Sequence, residues 1–90
     1  MARTAWMTEN EPTDADIRGE ILRQLMLIGK NGTICPSEVA RELFQPWREK
    51  MDRVREVVSQ MVVDGTIDVL QRGVVVELEK VKGPVRLKLR

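Results

Sequence analysis

The sequence contains no histidine and a single cysteine, Cys35. Lack of histidine removes the commonest metal ligand and the commonest general base. One thiol cannot close an intrachain disulfide or build a cysteine-based metal site, which suits a reducing compartment. Tyrosine is absent too, and the aromatics are Trp6, Phe44 and Trp47 alone. That is too few for the stacking platform of a single-strand nucleic-acid binder. No apolar run nears the ~20 residues that span a bilayer. The N-terminal stretch lacks the apolar core of a signal peptide, so a soluble cytoplasmic protein without a membrane role is expected. Glycine-rich phosphate loops, Gly-x-Ser-x-Gly and dinucleotide fingerprints are all missing. The acidic pairs Asp14/Asp16 and Glu77/Glu79 read as complements to a helix dipole and as the polar face of a strand. The expectation is therefore not an enzyme: no catalytic residue, cofactor, metal or small-molecule substrate.

What remains is 90 residues with 15 basic and 14 acidic groups. This length makes one small domain. Such a chain buries only ~60% of its unfolded surface, so each apolar stripe must be used. The near-neutral total hides an asymmetry. Residues 1–45 carry five basic and seven acidic groups, residues 46–90 ten and seven. An anionic partner should meet the second half.

Residues 1–13 have no sustained period and read as a mobile N-terminal tail, with Trp6 either docked back or solvated. Residues 14–90 read as one domain. A first helix should run from Asp14 to Gly29, capped by Thr13, with Ile17, Ile21, Leu25 and Ile28 on its core face. Thr33-Ile34-Cys35 is extended, because Cys35 precedes Pro36, and Cys35 reads as a small buried residue. A second helix starts at Pro36 or Ser37, with Glu38 bonding back to its start and Val39, Ala40 and Leu43 inward.

The third helix is read from Pro46, a fitting first helical residue, to Gly65, a fitting left-handed stop. Trp47, Met51, Val54, Val58 and Met61 step along one stripe. Thr66–Gln71 and Val74–Glu79 then alternate as a hairpin turned at Arg72-Gly73. Val85, Leu87 and Leu89 alternate with Arg86, Lys88 and Arg90, as a further strand or as a basic tail. Three helices followed by a small antiparallel hairpin or sheet is the layout of a winged helix-turn-helix: an α+β fold, mainly α.

Two basic patches bear on function. On the third helix Arg48 and Arg55, seven apart, share a face, while Lys50 and Arg53 lie on the opposite flank. Arginine there suits guanine and phosphate in a major groove. Glu49, Glu56 and Gln60 form the centre of the exposed face, with Asp52 to one side; the carboxylates there oppose phosphate, although glutamate can read cytosine. The other patch joins Arg72 at the hairpin tip with Lys80, Lys82, Arg86, Lys88 and Arg90. It reads either as a phosphate-binding wing and tail or as a lysine-protected sheet edge.

Several pieces together resemble a family of small bacterial domains of unknown function. They are Ile34-Cys35-Pro36-Ser37-Glu38-Val39-Ala40-Arg41, Trp47, Met51-Asp52-Arg53-Val54-Arg55, Gly65-Thr66-Ile67, Gln71-Arg72-Gly73 and Gly83-Pro84-Val85-Arg86-Leu87. The match spans residues ~17–90. One departure is Val76-Glu77, where that family tends to have Val-Asp. The resemblance implies a winged-helix-like fold and no assigned activity. Because Arg53, Arg55, Arg72 and Arg86 fall in matching pieces, it also implies a shared anion-binding surface. Arg55 has a structural alternative, tying the third helix to the hairpin.

The leading functional expectation is a module that binds double-stranded DNA, such as a small transcriptional regulator. Its contacts would be Arg48, Arg53, Arg55, Arg72, Arg86, Lys88 and Arg90. The alternative is a protein-interaction or dimerisation module on the same scaffold, which the mixed charge of the third helix suits.

Overall fold

The structure is a computed structural model that describes residues 11–90; Trp6 lies outside them. Thr13 opens the first helix, α1 (Asp14–Ile28), through a reciprocal capping box. Its hydroxyl accepts from the Asp16 N–H, and the Asp16 carboxylate accepts from the Thr13 N–H at 2.8 Å. Two otherwise unpaired donors are thereby satisfied, and a carboxylate faces the positive helix end. Cys35 stands at the N-cap of α2 (Pro36–Leu43), where Pro36 takes the first turn and the Glu38 carboxylate accepts from the Cys35 N–H at 2.8 Å.

The third helix begins later than its sequence suggests. Pro46 lies in the bend between helices, after a cis peptide bond from Gln45. Phe44 is extended and buried, which ends α2 and points its ring into the core. A single 3-10 turn, Arg48–Lys50, closed by the Lys50 N–H on the Trp47 carbonyl, then leads into α3 (Met51–Val63). Gly65, at φ +80°, ends α3: its N–H reaches the Val62 carbonyl and the next N–H reaches Met61. A left-handed residue with these two returning bonds is the usual glycine stop.

The chain continues into β1 (Ile67–Gln71), β2 (Val74–Val75) and β3 (Arg86–Leu89), an antiparallel sheet in the order β2-β1-β3. Arg72 and Gly73, at φ +54° and +79°, make the tight turn, a geometry that matches the natural twist of a hairpin. The second arm is shorter than the alternation predicts. After Val76 donates to Val69, the chain folds into a 3-10 turn, Leu78–Lys80, that buries Leu78. The last apolar alternation is a strand, not a tail. Ile34 adds one antiparallel bridge to β3, exchanging two bonds with Leu87 at 3.0 and 2.7 Å.

Three helices and a three-stranded sheet thus give the expected winged-helix-like layout, α+β and mainly α. One core joins Ile17, Ile21 and Leu25 of α1, Val39 and Leu43 of α2, Val54, Val58 and Met61 of α3, and Ile67, Val69 and Leu87 of the sheet. Each such side chain contributes about 1.5–3 kcal/mol by leaving water. Ile28 departs from its expected place. It is 52% exposed, and its neighbours Met26 and Leu27 in the last turn of α1 are exposed too. Cys35 is half-buried, and its sulfur accepts from the Ser37 hydroxyl. Pro12, just before the first helix, is buried, and its carbonyl accepts from Arg53 of α3. Among the described residues no helix is long and apolar enough to cross a membrane.

Candidate nucleic-acid interface

The arginines of α3 divide by helical angle. Positions 53 and 55 differ by roughly 200°, so their side chains leave opposite flanks. Arg53 turns toward α1, where it donates to the Pro12 carbonyl at 2.9 Å and to Asp14 at 3.2 Å. Lys50 beside it pairs with Glu11 at 2.7 Å. That contact, first through the hydrogen bond and then through the charge of Lys50, holds the Glu11 carboxyl below its ordinary pKa. Arg55 takes the other flank; Arg48, expected to share its face, stands instead in the 3-10 turn before α3, and neither makes an ion pair among the described residues. The guanidinium of Arg48 lies 4.6 Å from the centre of the Trp47 ring. Arg41, on the solvent face of α2, reaches the same ring at 4.6 Å.

The basic groups of the sheet divide in the same way. Arg86 donates to the hydroxyl and the carbonyl of Thr33 at 3.0 and 3.1 Å, fastening β3 to the loop before α2. Arg90 pairs with Asp68 at 3.1 Å. Lys88 sits opposite Asp68 in the β1–β3 register. Arg72 is exposed at the hairpin tip. Lys82 is drawn to the same end, because the Gln71 amide donates to the Lys82 carbonyl at 2.7 Å and to the Pro84 carbonyl at 3.3 Å. Lys82 and Arg55 both line an open groove of about 410 Å³ between α3 and the loop after Leu78. Asp52, Glu56 and Glu79 line it as well.

The candidate path of cations is thus Arg41 and Arg48 at the Trp47 ring, Arg55 and Lys82 at the groove beside α3, and Arg72 at the wing tip. Of the residues predicted from sequence it gathers Arg48, Arg55 and Arg72. Arg53, Arg86 and Arg90 are engaged within the fold, and Lys88 lies on the outer face of the sheet, off this path. Arg41 was not among the predicted contacts, and Lys82 was read only as a member of the C-terminal basic patch. Arg41 was legible only as a cation six residues before a tryptophan, across a turn whose shape the sequence does not specify. Lys82 depended on the Gln71 bond that folds its loop back.

A second surface is an apolar-floored groove of about 590 Å³ beside β2, where Val62, Val63, Val69, Val75, Val76, Leu78 and Val81 are joined by Ser59, Asp68, Glu77, Glu79, Lys80 and Arg90. Val63 is 87% and Val75 59% exposed.

A search of curated proteins found no match. The model of one family, described as "Protein of unknown function (DUF3253)", matches residues 14–90, which is the whole span from the first helix to the last residue. The chain belongs to that family.

Proposed function

We propose that this domain is a binding module for duplex DNA rather than an enzyme, with α3 in the major groove and the hairpin tip against the backbone. The observation that carries the reading is the path Arg41–Arg48–Arg55–Lys82–Arg72, whose members have no internal carboxylate partner among the described residues. Unneutralised arginines on α3 and on the turn before it suit guanine edges and flanking phosphates. Asp52 and Glu56 between them repel phosphate and suit the amino group of cytosine, so they favour selectivity over tight general binding. Anisotropy with a labelled duplex at two salt concentrations tests the reading. Binding at low salt that weakens with salt and with Arg48→Ala supports it; no binding at low salt overturns it.

A second reading has its own observation. The apolar groove and exposed Val63 and Val75 suit a protein partner or self-association. A partner captured equally with and without nuclease, or a dimer mass in solution, would favour it.

A further inference from the structure

We infer that Arg41, Trp47 and Arg48 form a clamp for a single backbone phosphate at the corner between α2 and α3. The inference rests on the DNA-binding reading and specifies one contact within it. Both guanidinium carbons lie 4.6 Å from the centre of the Trp47 ring, so they are within twice that distance of each other. The ring is half-buried and packed against the core, which fixes the support on which both cations rest. A guanidinium stacked on a ring uses its face and keeps its in-plane N–H groups for two oxygens of one anion. Stacking also orders the long side chain beforehand, so less freedom is lost on binding.

A contrast within the same corner gives the clamp its meaning. Phe44 carries two cations as well, Lys50 at 5.9 Å and Arg53 at 5.6 Å from the ring centre. There the fold supplies both counter-charges, Glu11 for Lys50 and Asp14 for Arg53. At Trp47 the fold holds two like charges together and, among the described residues, pairs neither with a carboxylate. The missing anion comes from the ligand. Phosphate is favoured over a base edge because Arg41 leaves α2 and Arg48 the 3-10 turn before α3, so both stand at the corner and not on the helix that would enter the groove.

The test uses the full chain with Trp6→Phe, which leaves Trp47 as the sole tryptophan. The probes are a labelled mixed-sequence duplex, a second duplex of unrelated sequence, and a poly-glutamate peptide. Addition of duplex should change Trp47 emission. Arg41→Ala and Arg48→Ala should each lower affinity about threefold to tenfold, equally for both duplexes. Each should also reduce the slope of log affinity against log salt by about one, the contribution of a phosphate contact. Arg48→Lys should restore the slope while leaving affinity reduced, since lysine keeps the charge and loses the fork. Circular dichroism checks that each variant is folded. Wild-type binding with unchanged slopes in both alanine variants overturns the clamp and leaves the DNA reading standing. Loss confined to one duplex makes Arg48 a base contact and likewise overturns the clamp. A Trp47 response to poly-glutamate with none to duplex overturns it in favour of an acidic protein partner. Absence of any duplex binding at low salt overturns clamp and DNA reading together.

Discussion

Arg53 reaches back 39 residues to Asp14, at 3.2 Å, and ties α3 to the first turn of α1. With its 2.9 Å bond to the Pro12 carbonyl, the side chain is committed to the fold. Arg53→Met should therefore lower unfolding stability by about 1 kcal/mol, the usual worth of a part-exposed hydrogen bond and ion pair. Its affinity for duplex DNA should stay within about twofold of wild type, near the limit a lost peripheral charge sets. Urea denaturation and anisotropy on the same preparation separate the two effects.

Gln71 holds the wing loop in place without contributing charge. Its amide bonds to the Lys82 and Pro84 carbonyls keep Lys82 beside Arg55. Gln71→Ala should cost about 1 kcal/mol of stability. It should also weaken DNA binding several-fold although the net charge is unchanged. Equal affinity for wild type and variant would show that the position of Lys82 is immaterial.

Leu25 and Ile28 belong to one sequence stripe and to different environments. Leu25 is fully buried and Ile28 half-exposed. Leu25→Ala should destabilise by about 2–5 kcal/mol through lost burial and the cavity left behind. Ile28→Ala should cost less than about 1 kcal/mol, as surface changes usually do. Comparable losses in thermal or urea unfolding would mean that the end of α1 is covered in solution.

Asp52 and Glu56 interrupt the cation path at the groove they share with Arg55. Removing their charge with Asp52→Asn and Glu56→Gln should raise affinity for duplex of any sequence several-fold and steepen its salt dependence. Preference between sequences should shrink at the same time. Competition between two unrelated duplexes measures both changes.

Local rules made much of the fold legible. Thr13, Pro36 with Glu38, Gly65 and Arg72-Gly73 each act within four residues of themselves, and each stands where its chemistry requires. The misplacements came from contacts between distant segments. Pro46 suits a first helical turn in isolation, but burial of Phe44 moves it into the bend. The strand-like alternation of residues 74–79 yields where Leu78 turns into the core. The candidate interface was legible only in part for the same reason. Arg53 and Arg55 are alike in type and differ in flank, and it is the contacts to Pro12 and to Asp14, 39 residues before Arg53, that distinguish a structural arginine from one left for a ligand. Arg41 joined the path through Trp47, a contact that no local pattern encodes, and Lys82, grouped with Arg72 from sequence, is set beside Arg55 by the Gln71 bond.

The most direct measurement compares two double variants against wild type by duplex anisotropy at low and moderate salt. Arg48→Ala with Arg55→Ala removes two unpaired cations from α3 and the turn before it, and Arg86→Ala with Arg90→Ala removes the same charge from surface residues bonded to other parts of the fold. The expected result is loss of at least tenfold in affinity for the first pair, with a salt slope lower by about two, and little change in affinity for the second. Equal effects of the two pairs, or no wild-type binding at low salt, would contradict the assignment of α3 and the wing as a DNA-binding face.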